Sequence, residues 1–305
     1  MECEHLLIDT KNMLYRAAYV HAYDKKFKKS KHHPINIVLH FLTSYLNRFN
    51  PKQIHIFWDS PRSETWRKKS NSFYKDGRGG SKKISNSEMN ELMNNLIEVS
   101  MFLFKNMCFR QYYCDSMEAD DLIYAFCKIN PHDETIIISS DADLKQITYH
   151  YPNIKIHSHL SKTKRTFELT PKIDPVIVKC FTGDKSDNID GYHKVGPVRA
   201  KVLTEDTKKR YEFFQSDKAI ARVDNEIRVV GNKRFKRNLR LIDLSLCPYL
   251  LDNMMYVSNK QFEPVEFNLG KIRDLISKYK LRGVTADISR YVGPFKRLAE
   301  VKNGS

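Results

Sequence analysis

Short apolar runs that stop at an acid recur along this chain. His5-Leu-Leu-Ile8 runs into Asp9, Ile54-His-Ile-Phe-Trp58 into Asp59, and Thr135-Ile-Ile-Ile138 into Ser-Ser-Asp141. Uninterrupted β-branched or aromatic runs of this length predict strands buried on both faces. Phe109 to Tyr113 predicts a further strand, and His157 and His159 alternate as in a strand. Between these runs, segments 12–22, 35–49, 87–106 and 117–129 have helical length. Met89, Leu92, Met93, Leu96 and Ile97 follow helical spacing behind Ser85 and Glu88, a capping-box pair. Alternating strands and helices predict an α/β fold around a mostly parallel central sheet.

Ligands of such sheets collect outside the carboxyl ends of the strands, so Asp9, Asp59 and Asp141 are expected to face one crevice. An aspartate there can also simply cap the next helix. More acids follow, however. Glu118, Asp120 and Asp121 fall at the start of a helix, Asp143 is two residues past Asp141, and Gly183-Asp184-Lys-Ser-Asp187 adds a pair. Like charges about 4 Å apart repel by about 4 kcal/mol at an effective dielectric near 20. Such a group must hold protons or bind divalent cations. An all-oxygen donor set favours Mg²⁺, with Mn²⁺ as a substitute, over Zn²⁺.

Charge sharpens this picture. The 305 residues carry 52 Lys+Arg against 36 Asp+Glu, a formal net charge of +16. Hydrophobic residues make up 41% and charged residues 29%, which excludes collagen-like and disordered classes. A positive surplus attracts polyanions, and acids in a basic protein make sense where two ions bridge carboxylates to a phosphodiester undergoing hydrolysis. The D-x-D-x-T pattern of one phosphatase class is absent after the first strand. Residues 60–85 interleave cations with aromatics, from Arg62 through Trp66-Arg67-Lys68-Lys69 to Lys82-Lys83, as a single-strand cradle would. Arg67 and Lys68 are the expected DNA contacts there; Trp58 and Trp66 are expected to pack. The cysteines are scattered without a C-x-x-C pair, which argues against a disulfide framework or a zinc ribbon. No run approaches a membrane span, and the first residues are not a secretory signal. A cytoplasmic location is expected, in the host cell if the chain is viral, with no membrane partner.

Six stretches, LIDTKNMLYRA, IFWDSPRSETWRKK, FYKDGR, SMEADDLI, SSDADLKQI and FTGDKSDNIDGYHKVGPVRAKVL, stand in an order and spacing that resembles the structure-specific 5′ nuclease superfamily. These are the flap endonucleases and 5′-to-3′ exonucleases with a PIN-like core. The likeness covers roughly residues 4 to 203, and the later KRFKRNLRLIDL is similar to the phage branch, of the T-even bacteriophage ribonuclease H type. The resemblance implies a catalytic domain over 1–182 with a basic arch at 60–85, and a smaller helical DNA-binding domain over 183–305.

It implies that Asp9, Asp59, Glu118 and Asp120, with Asp121 close by, surround one Mg²⁺, and that Asp141, Asp143, Asp184 and Asp187 surround a second. Tyr74, Lys75 and Arg78 match the arch base, where cations steady the scissile phosphate. Gly191 to Ala200 resembles a helix-hairpin-helix (helix-three-turn-helix) element, with Lys194, Gly196, Arg199 and Lys201 as duplex contacts. The substrates implied are duplex, flap and RNA-primed DNA. Partners would be replication proteins such as a single-strand-binding protein or sliding clamp, and the chain would act as a monomer. Two other readings stay open: a PIN-type ribonuclease on single-stranded RNA, and a non-catalytic binder of branched DNA.

Overall fold

The computed structural model describes residues 2–23, 34–76, 86–107, 109–158, 167–215, 233–250, 267–279 and 293–296. Strand β1 (Cys3–Asp9) leads into α1 (Thr10–Tyr23), and α2 (Ile35–Phe49) into β2 (Pro51–Phe57). A 3-10 turn (Arg62–Glu64) and the short α3 (Trp66–Ser70) precede the long α4 (Asn86–Asn106), β3 (Arg110–Tyr112) and α5 (Ala119–Ile129). Then come β4 (Thr135–Ile138), α6 (Lys145–His150) and β5 (Ile154–His157). The sheet is five-stranded, in the order β3-β2-β1-β4-β5, and each adjacent pair is parallel. His159, at which the alternating pattern was to continue, and Ser85, the expected helix cap, lie outside the described residues.

The period-2 geometry of strands sorts the core into two layers. Leu6, Ile8, Ile136 and Ile138 face α1, α2, α4 and the late helix α11 (Leu269–Lys278). Leu7, Phe57, Ile137, Ile154 and Ile156 face α5, α6 and a 3-10 turn at Leu244–Leu246. With helices on both faces, the strands must be apolar throughout, which is why they read as unbroken runs. Trp58 and Trp66 are 6% and 2% exposed and pack in these two layers. Among the described residues no helix is long and apolar enough to cross a membrane. Cys3, Cys127, Cys180 and Cys247 are buried and free.

A third apolar cluster is built from α7 (Pro175–Thr182), the hairpin pair β6 (Gly183–Asp184) and β7 (Ile189–Asp190), α8 (Pro197–Glu205), α9 (Thr207–Gln215) and α10 (Lys233–Ile242). Val176, Cys180 and Phe181 of α7 belong to it. The cluster thus straddles the division expected between residues 182 and 183, and it takes in Tyr74 as well.

Its hairpin depends on two glycines. A Cβ on Gly191 would lie 2.2 Å from the Thr182 carbonyl carbon, and one on Gly183, whose φ is +75°, 2.3 Å from the Gly191 nitrogen. Gly196, by contrast, sits in extended backbone with nothing within 4 Å of an added Cβ. The glycine requirement of this turn thus falls on Gly183 and Gly191.

Candidate metal centre

β1, the middle strand, has β2 on one side and β4 on the other, so the chain leaves it in opposite directions and opens a crevice at the carboxyl ends. Asp9 ends β1 at that point. Its oxygens accept from the Asn12 amide at 3.1 Å and the Ser139 hydroxyl at 2.8 Å. Burial first, then the charges of Asp59 and Asp141, push its carboxyl up to about 7. Ser139 Oγ also accepts from the Asp141 amide at 3.0 Å, which ties the ends of β1 and β4 together. Asp59 is fixed by the Ala119 amide at 3.0 Å, and Lys11 stands 3.3 Å from its other oxygen.

The start of α5 supplies the next acids. Glu118 caps the helix, and Asp121 accepts from the Glu118 amide at 3.1 Å, closing a reciprocal capping box. Asp121 is fully buried. It accepts from Arg67 Nη2 at 2.7 Å and Nη1 at 2.9 Å, and from Trp66 Nε1 at 3.1 Å. With the Glu118 amide, three of these donors fall on Oδ2 and one on Oδ1. Asp121 thus anchors Arg67 while staying within ligand distance of Glu118 and Asp120.

Arg67 itself is 1% exposed. Its Nη1 also donates to Glu118 at 3.0 Å, and its Nε to the Leu241 carbonyl at 2.9 Å. The expectation that Arg67 touches DNA is overturned: a guanidinium is weakly hydrated and forked, and so suits a buried pair of acids. Lys68 instead lies at the surface of α3, paired with Asp76.

Tyr74 is buried, and its hydroxyl lies 3.1 Å from both Glu118 and Asp187, joining the two acidic groups. Lys75 stands in left-handed backbone at φ 56°, its amide donating to the Asp187 carbonyl at 2.8 Å. Its ammonium reaches Glu118 at 2.6 Å and Asp187 at 3.9 Å. Burial works to raise the Glu118 carboxyl, but Lys75 and then Arg67 outweigh it and hold Glu118 down to about 2. Burial raises Asp120 well above the carboxylate range, with Asp121 and Glu118 adding to it against the pull of Arg67. Arg78 lies outside the described residues.

The other acidic group is Asp143, Asp184 and Asp187. Lys179, on α7, bridges Asp143 and Asp184, reaching Asp184 at 2.5 Å. Burial lifts Asp143 to about 6, against Lys179. Asp184 is drawn down to about 2, burial being outweighed by Lys179 and Ser186. Lys11 and Lys179 were not singled out in the sequence; their position two residues past Asp9 and five before Asp184 was the available signal.

Carboxylate oxygens of Glu118, Asp120 and Asp121 lie within 4.8 Å of one another, as do those of Asp143, Asp184 and Asp187. No histidine or cysteine joins them among the described residues, a donor set that fits hard divalent cations. Glu118, Asp120 and Asp121 could hold one such ion, and Asp143, Asp184 and Asp187 another. Lys194, Arg199 and Lys201 are exposed around the turn before α8, with Lys194 at φ 56° and Pro197 in the first helical turn.

Comparison with known proteins agrees with this architecture. A family model for the 5′-3′ exonuclease N-terminal resolvase-like domain matches residues 4–173. A 5′-3′ exonuclease of Halalkalibacterium halodurans is 28% identical over 66% of this chain and 69% of its own length. One of Buchnera aphidicola is 30% identical over 65% of each. The chain thus spans about two thirds of these relatives' length. DNA polymerase I of Streptococcus pneumoniae matches at 30% identity over 66% of this chain but 24% of the polymerase.

Among solved structures, the bacteriophage T5 flap endonuclease in complex with DNA and metal ions superimposes with a TM-score of 0.61 at 18% identity, over 91% of this chain and 99% of that one. Human GEN1 with Holliday junction DNA gives 0.53 at 13% identity, over 99% and 74%. With the acids gathered at the switch point of a parallel sheet and a family match over more than half its length, the chain belongs to the 5′-3′ exonuclease family and is a nuclease.

Proposed function

We propose that this nuclease is a Mg²⁺-dependent 5′-to-3′ exonuclease and flap endonuclease with ribonuclease H activity, removing RNA primers and adjacent DNA from 5′ ends during phage DNA replication. The observation that carries the reading is the pair of acidic groups joined through the Tyr74 hydroxyl, with Lys75 between them. When bound, paired divalent ions supply activation of the attacking water and stabilisation of the leaving oxygen. The chain's own residues do the rest. Asp9, Asp59 and Glu118 are locked by Ser139, Ala119 and Arg67, so the carboxylates keep their geometry without reorganising.

Lys75 sits where its ammonium can exchange a carboxylate for a phosphate oxygen, and a cation that binds more strongly as charge develops raises turnover. Arg78 has the same role. Lys68 on α3, and Lys194, Gly196, Arg199 and Lys201 in a helix-hairpin-helix turn, hold backbone phosphates of the duplex. The open space over Gly196 supports a close approach of backbone amides to phosphate. The DNA-binding unit runs from α7 to α10. The protein acts as a monomer in the host cytoplasm, alongside a single-strand-binding protein or sliding clamp.

The deciding experiment is a panel of 5′-labelled flap, nicked, blunt and RNA-primed duplexes with and without Mg²⁺, products sized. Cleavage near the 5′ end of flap and RNA-primed duplexes, abolished by chelation, is expected. Preferential cutting of free single-stranded RNA would replace this reading with a PIN-type ribonuclease.

A further inference from the structure

Helix α10 has a division of faces that the active site does not use. Phe235, Asn238, Leu241 and Ile242 are buried, while Lys233, Lys236, Arg237 and Arg240 are exposed. The exposed set recurs at i, i+3, i+4 and i+7, one stripe of a helix that contains no acid. Neither Lys236 nor Arg240 has a bonded partner among the described residues. Arg237 donates to the Asn238 Oδ1 at 3.2 Å. A cationic stripe costs self-repulsion, so on an isolated helix it would read as a mobile, solvated edge.

This helix is not loosely attached. Asn238 donates its amide to the carbonyls of Cys180 at 3.0 Å and Asp190 at 2.8 Å. Arg234 donates to the Gly191 carbonyl at 2.9 Å, tying the start of α10 to the turn that precedes α8. At its other end the Leu241 carbonyl accepts from Arg67, and Ile242 from Gln146 at 3.1 Å. One end of α10 therefore touches the turn, and the other touches the arginine that holds Glu118 and Asp121. Its cations are carried rigidly between the two.

We propose that the outer face of α10 is a second nucleic-acid surface, a track for the phosphate backbone of the duplex between the turn and the acidic crevice. This rests on the nuclease reading for its choice of polyanion. The stripe from residue 233 to 240 extends about 10 Å at 1.5 Å per residue. At 3.4 Å per phosphate along one strand, it spans about three phosphates. Because its donors are side-chain cations at the surface, the face holds duplex without reading sequence.

The test is duplex binding in EDTA, where cleavage does not intervene, for the full chain and a Lys236→Ala/Arg240→Ala double variant across 50 to 200 mM salt. Each phosphate contact contributes about −0.9 to the log-log slope, so the variant's slope should be shallower by about 1.8. Its deficit in affinity should then be about 12-fold larger at 50 mM than at 200 mM. A Lys52→Ala/Lys128→Ala control removes equal charge from the nuclease half and should keep the original slope. Circular dichroism melts of both variants check that α10 remains folded. An unchanged slope in the α10 variant overturns the proposal and leaves the face to an acidic protein. An equal change in both variants overturns it too, reducing the effect to net charge. If the slope falls as expected while the labelled substrates remain uncut in Mg²⁺, the α10 surface stands and the nuclease reading falls.

Discussion

Removing Arg67 tests whether the acidic crevice is organised by a buried counter-charge. The guanidinium, 1% exposed, is shared between Asp121, which is fully buried, and Glu118. Arg67→Ala strands Asp121 with Trp66 Nε1 and the Glu118 amide as its remaining donors. Leaving one partner of a buried ion pair uncompensated costs about 3–5 kcal/mol. The Leu241 carbonyl also loses its donor, adding about 1 kcal/mol. We expect urea denaturation of the metal-free protein to give a loss of about 4–6 kcal/mol.

Replacing both partners, as Arg67→Met/Asp121→Leu, should recover about half of the loss. The Arg67–Asp121 pair is then gone, but Glu118 keeps only Lys75 and Tyr74 as side-chain donors, and Trp66 Nε1 has lost its acceptor, at about 1–3 kcal/mol. A loss below about 1 kcal/mol for Arg67→Ala would refute the reasoning.

Asp9 gives a pH signature. In the folded, metal-free protein its carboxyl keeps a proton up to about 7, against 3.8 ordinarily, so stability falls as pH rises between those values. At 1.36 kcal/mol per pH unit the gap amounts to about 4 kcal/mol, and Asp9→Asn should raise the metal-free melting temperature at pH 8 and flatten its pH dependence. Lys75→Ala should lower turnover by about 10²–10³ while duplex binding in EDTA changes little, read by single-turnover kinetics beside a gel shift. A comparable loss of binding would make Lys75 a docking residue. Gly191→Ala should destabilise by more than about 2 kcal/mol, because its Cβ meets Thr182 backbone at 2.2 Å, whereas Gly196→Ala should melt like the parent. Equal melting of the two would contradict the hairpin geometry.

Local pattern carried much of this protein. Unbroken apolar runs stopped by Asp9, Asp59 and Asp141 determined the parallel strands and, through the rule for their carboxyl ends, the crevice. The acids at Glu118 and Asp120 were legible because they open a helix that follows a strand. What one-dimensional spacing could not carry is which charge neutralises which. Arg67 stands in a run of surface-looking cations, and its partners Asp121 and Leu241 are 54 and 174 residues away. Lys179 looks like any helical lysine until the hairpin folds Asp184 back toward it. The same distinction holds for glycine, since Gly196 reads as the turn residue while Gly191 bears the contact with Thr182. Periodicity and chain stops are local, so the sequence by itself determined elements and their edges. Burial, and the pairing of charges that burial demands, depends on which distant segments are packed together, and that only the tertiary structure decided.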